Sequence, residues 1–464
     1  MSFKFISSIR LGEMNVFLVM PVKSNQLQKS EKIIKPESKI GMGRRHFLKK
    51  TLLATSSFYI SSLGRHGSAE DDEVEISIDR GTVVLTSNFN IGVTHTGKRW
   101  EDGNGHAVER AKKLLMEGLK FHNQHLMNWG VGNPEPAPGK YNWDSLDGRM
   151  ELIRSMKGIP VITFCSAPGW MNSTGDDIPR EISPDHWEDP RVKDEHVAAY
   201  AGLCQKAALR YTDVKYFQIW NELKGYWDHS RDQWDYVRFT EFYNTVYEAV
   251  KSVRPDAWLG GPYYSWDLDP APRDWEVIDY WFAHNHGAEF VNFDGWIGGY
   301  PPSGLRSEEA KKMLRTDYFG KIAQQFRSRT TLPVWISEFY GGWSDDPQFT
   351  AANHASCYLH ALMKGVAIAL LWGPSAQQWN YLFTDTDREN GGEPSPHYEV
   401  VKIFNTFFGP GTKIVGASSS SLELEVLASP TAVYLINKRD KNIPVKLEGN
   451  RVILKPYECR LINQ

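Results

Sequence analysis

Two glutamates, Glu222 and Glu338, stand at the ends of short runs of apolar, β-branched and aromatic residues. The runs cover 216–222 (YFQIWNE) and 333–338 (PVWISE), and their composition is typical of buried strands. A glutamate is disfavoured there, so two at matching positions indicate chemistry. Two carboxyl groups about 5–5.5 Å apart can cleave a glycosidic bond with retention of configuration. At that distance two carboxylates repel by about 3 kcal/mol, which helps to keep one protonated near neutral pH.

The spacing of the two glutamates fits about three strand–helix units of roughly 30–40 residues each, the repeat of a (β/α)₈ barrel. Between 89 and 409 predicted strands and helices alternate, which favours an α/β fold with a closed parallel barrel. An open doubly wound sheet is the alternative, although no GxGxxG motif follows an early strand. The predicted strands are 89–93, 121–129, 160–165, 216–222, 257–261, 290–296, 333–338 and 366–372. The predicted helices are 107–117, 145–157, 192–211, 231–253, 275–284, 307–327, 352–364 and 399–407.

The segments that flank the predicted barrel have a different pattern. Residues 70–88 contain two alternating runs on either side of 79–81 (DRG), which predicts a β-hairpin. Residues 410–464 contain short β runs divided by turn residues and predict a small antiparallel β domain, which is too small to form a large core alone. We therefore expect the hairpin to join this domain, so that one β module forms beside the barrel.

Residues 1–69 are predicted to be a leader. The segment 44–49 (RRHFLK) resembles a twin-arginine export signal, and small residues at 67–69 suit a signal peptidase. The apolar stretch between them, 51–63, is too short to be a stable membrane span. A basic amphipathic tail of a cytosolic protein is the alternative. The pattern predicts recognition by the twin-arginine export machinery and a periplasmic or extracellular location.

Composition limits the classes of partner. The chain of 464 residues has a formal net charge of −3, which gives no support for nucleic acid or an anionic membrane as a partner. Its 17 tryptophans favour a carbohydrate partner, because indole faces stack on sugar rings. The cysteines form no CxxC pair, and Cys165, Cys204 and Cys357 lie in apolar predicted elements, so we expect buried free thiols. We expect no cofactor.

Active sites of (β/α)₈ barrels lie at the carboxyl ends of the strands. Carboxylates among tryptophans and amides favour a glycosidase over a metal site, and the sequence THT at 94–96 lacks the His-x-His of a metal-dependent barrel hydrolase. On the second predicted strand, His122 and His125 point to opposite faces, which disfavours a shared metal and favours packing roles. The predicted site residues are His95, Asn128, Trp129, Trp170, Asn221, Glu222, Tyr264, Trp296, Glu338 and Trp372.

The motifs at 219–222 (IWNE) and 335–338 (WISE) resemble those of clan A of the retaining glycoside hydrolases. They are most similar to glycoside hydrolase family 39, which includes β-xylosidases, α-L-iduronidases and exopolysaccharide-cleaving enzymes. The resemblance covers roughly residues 80–460 and implies an O-glycosidase that acts on an oligo- or polysaccharide. It implies Glu222 as the acid/base, Glu338 as the nucleophile and Asn221 as a hydrogen-bond partner of the sugar 2-hydroxyl. It also implies that Trp372 forms the floor of the subsite for the cleaved sugar.

Three departures from the family pattern keep a second function open. The segment 223–227 (LKGYW) follows Glu222 where the family has a proline. The sixth predicted strand has no His or Tyr that would contact the nucleophile, and the second has His122 and His125 instead of an arginine. The alternative is a non-catalytic carbohydrate-binding barrel, which would bind sugar without turnover.

Overall fold

A computed structural model describes residues 8–11, 14–17, 73–96, 100–175, 191–266, 270–297, 313–375 and 381–463. The chain divides into two compact units, Met1–Gly67 and Ser68–Gln464. In the first unit, the strand Ser8–Leu11 (β1) pairs antiparallel with Met14–Phe17 (β2). The export signal predicted within 44–69 lies outside the described residues. Within those residues, no helix is both long enough and apolar enough to cross a bilayer.

The second unit contains a closed barrel of eight parallel strands, which follow one another around the ring in chain order. Helices alternate with the barrel strands, and this confirms the predicted (β/α)₈ fold. From the start of this unit the strands are Val74–Thr86 (β3), Asn90–His95 (β4), Phe121–His125 (β5), Ile159–Phe164 (β6), Tyr216–Ile219 (β7), Trp227–Asp228 (β8), Gln233–Trp234 (β9), Trp258–Trp266 (β10), Phe290–Trp296 (β11), Val334–Tyr340 (β12) and Val366–Trp372 (β13). Of these, β3 and the short β8–β9 hairpin lie outside the barrel.

The helices begin where the sequence supplies capping groups. The side chains of Asn104, Asp235, Asp346 and Ser395 accept a backbone N–H from the first turn of the helix that follows each, as expected for N-cap residues. Three helices also begin with a proline, which has no N–H to leave unpaired. The helices are Gly105–Gly118 (α1), Asp144–Ser155 (α2), Val197–Arg210 (α3), Tyr236–Val253 (α4), Pro272–His284 (α5), Tyr318–Arg329 (α6), Pro347–Met363 (α7) and Pro396–Phe407 (α8).

Two layers of side chains fill the barrel below its carboxyl end. The lower layer is apolar, and it packs Phe121, Val161, Phe290, Trp335, Ile368 and Leu370 together. Above it, buried polar side chains from six strands form a hydrogen-bonded ring that we call the polar layer. Its members are Thr94, Asn123, Thr163, Gln218, Asn292 and Ser337. Each is hydrogen-bonded to another member, so the polar layer fixes the relative positions of the strands just beneath their carboxyl ends.

The β module contains strands from both sides of the barrel sequence, but the hairpin predicted for 70–88 is wrong. The segment is the single strand β3, and it pairs with β14 and β17. Its pairing with β14 shifts register next to Asp79, whose side chain accepts the N–H of Gly81, so the segment read as a turn is a bulge. The later strands are Lys413–Ser419 (β14), Leu424–Ala428 (β15), Ala432–Asn437 (β16), Ile443–Leu447 (β17), Asn450–Leu454 (β18) and Cys459–Asn463 (β19). They form sheets in the orders β14-β3-β17-β18 and β15-β16-β19.

The cysteines are free thiols, as predicted. Cys165, Cys204 and Cys357 are buried, and Cys459 is partly buried. Burial raises the pKa of the Cys204 and Cys357 thiols well above the usual value. Both therefore remain protonated at neutral pH and are poor nucleophiles.

Candidate active site

Three carboxyl groups meet at the carboxyl end of the barrel. One oxygen from each of Glu222, Asp294 and Glu338 lies within 4.8 Å of the other two. Glu338 and Asp294 are buried, and Glu222 is partly exposed. The sequence predicted the meeting of Glu222 and Glu338 but not the presence of Asp294.

The backbone that presents these carboxyl groups departs from regular geometry. Trp220 and Glu222, just after β7, have φ angles of 65° and 52°, a left-handed region that non-glycine residues seldom occupy and that is enriched at functional sites. Between β11 and β12 the register shifts by one residue, so that Asp294 pairs with Glu338 rather than with Ser337. The bulge therefore aligns two carboxyl groups across neighbouring strands.

Glu338 accepts hydrogen bonds from three side chains. Asn221 Nδ2 donates to Oε1 over 2.7 Å and the Tyr263 hydroxyl donates to the same oxygen over 2.8 Å. The Tyr340 hydroxyl donates to Oε2 over 3.0 Å. Burial and the nearby charge of Glu222 raise the pKa of Glu338 to about 7, while Lys224 and the two tyrosines act in the opposite direction. The donors fix the carboxylate in one orientation, as a nucleophile requires.

Lys224 is the cation of this site. Its ammonium donates to Asn221 Oδ1 over 2.6 Å and lies 2.8 Å from Glu222 Oε2. It also lies 5.1 Å above the ring of Trp129, in the range of a cation–π contact. The ammonium therefore pairs with Glu222, and its charge also acts to lower the pKa of Glu338.

Aromatic side chains form one wall of the site. The rings of Trp129 and Trp372 lie 6.3 Å apart and nearly perpendicular, and His125 packs against both. His125 Nε2 is 3.9 Å from Glu338 Oε1. Burial and Lys224 lower the pKa of His125 to about 3, so the imidazole is neutral and the contact is not an ion pair. The wall offers flat faces on which a sugar ring can stack.

The other predicted site residues have their contacts elsewhere. His95 is buried against His122 and Trp100, with ring nitrogens 3.0 Å and 3.3 Å from theirs. Trp170 donates its indole N–H to the carbonyl of Glu135, and Trp296 is 42% exposed at the end of β11. Asn128 is mostly buried and is bridged through its backbone to Val131.

Tyr264 also faces away from the carboxyl groups, whereas its neighbour Tyr263 reaches them. The Tyr264 hydroxyl donates to Asp274 Oδ1 over 2.8 Å and accepts the indole N–H of Trp234. The pairing of β10 with β11 shifts register between Pro262 and Tyr264, and Tyr263 has a φ of 57°. This bulge reverses which of the two tyrosines points to the carboxyl groups, an irregularity that strand alternation cannot predict.

Glu222, Asp294 and Glu338 also form the one carboxylate or histidine group with metal-ligand spacing among the described residues. Oxygen-only ligands suit a hard divalent cation. However, the ammonium of Lys224 lies 2.8 Å from Glu222 and already supplies a positive charge to the cluster.

The site residues not predicted from the sequence are Asp294, Tyr263, Tyr340, Lys224 and His125, which was expected to have a packing role. Tyr340 carried a signal, because it lies two residues after Glu338 on one strand and therefore on the same face. Asp294 carried the signal that identified the glutamates, a carboxylate near the end of a buried strand. Lys224 follows β7 in an irregular turn, where no periodicity applies.

Comparison with known proteins gives a fold but no close relative. No protein-family model matches the sequence, and no curated protein does. The fold is similar to a conserved exported protein from Bacteroides fragilis, with a TM-score of 0.63 and 12% identity over 85% of this chain and 100% of that one. It is similar to a family 39 glycoside hydrolase from Bacteroides cellulosilyticus, with a TM-score of 0.55 and 17% identity over 83% and 81% of the two chains.

A third similar structure is the catalytic domain of the family 30 xylanase C from Talaromyces cellulolyticus, with a TM-score of 0.55 and 14% identity over 81% of this chain and 89% of that one. At these identities the likeness establishes a shared fold. The resemblance to clan A glycoside hydrolases that the motifs indicated is therefore confirmed at the level of the fold.

Proposed function

We propose that the protein is a retaining O-glycoside hydrolase that acts on an oligo- or polysaccharide. The observation that carries this proposal is the spacing of Glu222 and Glu338, whose nearest carboxyl oxygens lie within 4.8 Å at the active end of the barrel. Retaining glycosidases hold their two carboxyl groups about 5–5.5 Å apart, whereas inverting enzymes leave about 6.5–9.5 Å for a water molecule.

In the proposed reaction Glu338 attacks the anomeric carbon while Glu222 protonates the departing glycosidic oxygen. A water molecule then attacks the glycosyl–enzyme ester, and Glu222 acts as the base. Three hydrogen bonds orient the Glu338 carboxylate, which supports the role of nucleophile. Glu222 is the more exposed of the two, which supports a role at the leaving group.

Asn221 and the aromatic wall are proposed to bind the sugar. Asn221 already donates to Glu338 through Nδ2, so its amide is within reach of the 2-hydroxyl of a sugar attached to Glu338. Trp129 and Trp372 supply stacking faces beside it. Because one structure of similar fold is a xylanase, xylan and aryl β-xylosides are the first substrates to test.

One observation favours the second candidate, a carbohydrate-binding barrel without catalysis. The ammonium of Lys224 lies against both Asn221 Oδ1 and Glu222 Oε2, two groups that the hydrolytic reaction needs. An ammonium at this position favours the ionised form of Glu222, which cannot act as an acid. A measurement of turnover distinguishes the two functions, because only the hydrolase would cleave the sugar that it binds.

The test is a screen of aryl glycosides and polysaccharides with the wild-type protein and with Glu338→Gln. We expect at least a thousandfold loss of kcat in the variant, about 4 kcal/mol of transition-state stabilisation. Glu289→Gln is the matched control, since Glu289 precedes β11 at the opposite end of the barrel. Proton NMR of the first product reports its anomeric configuration. Sugar binding without turnover would support the second candidate, and an inverted product would refute the retaining mechanism.

We also propose export through the twin-arginine pathway, on the evidence of the motif at 44–49. The structure of similar fold from Bacteroides fragilis is itself named an exported protein. Replacing both Arg44 and Arg45 by lysine should retain the protein in the cytoplasm, as measured by cell fractionation. Unchanged export of this variant would contradict the proposal.

A further inference from the structure

Asp294 is a buried acid that the proposed reaction does not use. It is 1% exposed, and both of its carboxyl oxygens are buried. It pairs in register with Glu338 on one side and with Ser265 on the other. One of its oxygens lies within 4.8 Å of oxygens of both Glu222 and Glu338.

A carboxylate in this position would be unstable as an anion. Burial removes its water, and both neighbouring acids repel its charge. Burial and then Glu222 raise the pKa of Asp294 well above its ordinary value, while a hydrogen bond with the Ser265 hydroxyl acts in the opposite direction. The protonated form of Asp294 is therefore favoured, and a buried O–H group requires an acceptor.

Two carboxyl groups are close enough to be that acceptor. Glu338 already accepts two hydrogen bonds at Oε1 and one at Oε2. Glu222 has the ammonium of Lys224 at Oε2. A hydrogen bond with Glu222 contributes to the raised pKa of Asp294, whereas Glu338 acts on that pKa through its charge, so Glu222 is the better acceptor for the Asp294 proton.

We propose that Asp294 is a positioning residue that holds a proton against Glu222, so that these two carboxyl groups share one proton. The proposal rests on the proposed function, in which Glu222 is the acid/base. In the resting site the proton lies on Asp294 and Glu222 is held as a carboxylate beside Lys224. When the glycosidic oxygen enters, the proton moves to Glu222.

The cycle then balances in protons and charge. As the anomeric C–O bond breaks, its electron pair stays on the leaving oxygen, and that oxygen takes the proton from Glu222. Glu338 forms the new bond to the anomeric carbon and becomes a neutral ester. The Glu222–Asp294 pair is left without a proton, so the negative charge that Glu338 loses appears on the pair. The water that later cleaves the ester returns one proton to the pair.

The groups that face Asp294 come from several elements. β10 contributes Ser265 and Tyr263, and β12 contributes Glu338 and Tyr340. The turn after β7 contributes Glu222, with Lys224 paired to it. Lys224 is the cation among them, and it is bound to Glu222 rather than to Asp294, which leaves the pair of acids to divide one proton.

The first experiment requires no activity. Stability to urea is measured from pH 4 to pH 8 for the wild type, Asp294→Asn and the control Glu289→Gln. The pKa of Asp294 is raised above 3.8 in the native chain, so the unfolded chain releases this proton at a lower pH and the wild type loses stability relative to Asp294→Asn as pH rises. A difference that does not change with pH would show an ionised Asp294 and overturn the proposal, whether or not the protein is a glycosidase.

The second experiment tests the link to Glu222. The pH dependence of kcat/KM is compared for an aryl glycoside with a poor leaving group and for one with a good leaving group, which needs no acid catalysis. In Asp294→Asn, which fills the same space but holds no shared proton, we expect the alkaline limb for the poor leaving group to move down by at least about one pH unit. The profile for the good leaving group should not move. Identical profiles for wild type and variant with the poor leaving group would overturn the proposal.

Discussion

Two partly buried clusters around carboxyl groups each contain one lysine, yet the pKa values of their acids shift in opposite directions. In the first, between α7 and the β module, the Glu425 carboxylate accepts hydrogen bonds from the Lys438 ammonium over 2.8 Å and the Ser356 hydroxyl over 2.5 Å. His360 Nε2 lies 3.0 Å from the same carboxylate. In the second, at the barrel mouth, Lys224 pairs with Glu222, which lies beside Asp294 and Glu338. The first cluster has more donors than acids, and the second has more acids than cations.

The pKa values of the two clusters follow from this count. Burial would raise the pKa of Glu425, but His360 and Lys438 outweigh burial and lower it to about 2. At the barrel mouth, burial and Glu222 raise the pKa of Glu338 to about 7. The comparison teaches that burial alone does not set the behaviour of an acid. An acid whose charge is fully balanced by cations and hydrogen-bond donors, here called satisfied, joins two parts of the fold. An acid with too few cations nearby, here called under-compensated, is available for proton transfer.

Among the variants that test this comparison, the largest effect is expected at the cluster around Glu425. Lys438→Met leaves Glu425 buried with fewer partners, and we expect the free energy of unfolding to fall by about 3 kcal/mol. Urea unfolding at pH 7 measures this, with Lys446→Met as control, because the Lys446–Glu75 pair is largely exposed and should contribute less than about 1 kcal/mol. Equal losses in the two variants would remove the distinction between the clusters.

The pH dependence of stability provides the next effect. Glu425 ionises at a lower pH in the folded chain than in the unfolded one, so its contribution is present above pH 4.5 and is lost as pH falls toward about 2. The lowered pKa corresponds to about 3 kcal/mol at most. Glu425→Gln should lose less stability than the wild type between pH 5 and pH 2.5. Parallel curves would show that Glu425 is not specially stabilised as an anion.

Lys224→Met tests the under-compensated cluster. We expect kcat on an active glycoside to fall about a hundredfold, or about 2.7 kcal/mol, because Asn221 and Glu222 lose the group that orients them. The loss of stability should be smaller than in Lys438→Met, since the acids at the mouth can take up a proton instead. Full activity in Lys224→Met, or increased activity, would show that the ammonium opposes catalysis.

The smallest effect separates two neighbouring tyrosines. Tyr263→Phe removes one of three donors to Glu338 and should lower kcat about tenfold, or about 1.4 kcal/mol. Tyr264→Phe removes a hydroxyl bonded to Asp274 and Trp234, and we expect less than a threefold change. Kinetics with one aryl glycoside compare the two, and the reverse order of effects would contradict the bulge at Tyr263.

Most of the barrel was predictable because eight strand–helix units repeat the same periodicity. The sixth and eighth strands were predicted with the bounds that the structure has, 290–296 and 366–372. The fifth was predicted to end at 261 but continues to Trp266, because Gly260, Gly261 and Pro262 normally end a strand. The bulge in β3 was read as a turn for a similar reason.

The candidate site was less predictable than the fold. Glu222, Glu338 and Asn221 come together, because strand order and strand ends determine their positions. Tyr263 and Asp294 depend on bulges of one residue, and each bulge changes which side chain faces the site. A pattern of period two carries no information about where such a shift occurs.

The polar layer beneath the carboxyl groups has a consequence for how the site tolerates change. An apolar floor could slide or repack with small shifts in strand position, but a ring of amides and hydroxyls has fixed partners and angles. Trimming Gln218 or Asn292 would leave several neighbours unpaired at once, because each contacts more than one member. The polar layer therefore fixes the positions of the strand ends relative to one another. We expect a new specificity to evolve through the surrounding loops, while the polar layer itself stays unchanged.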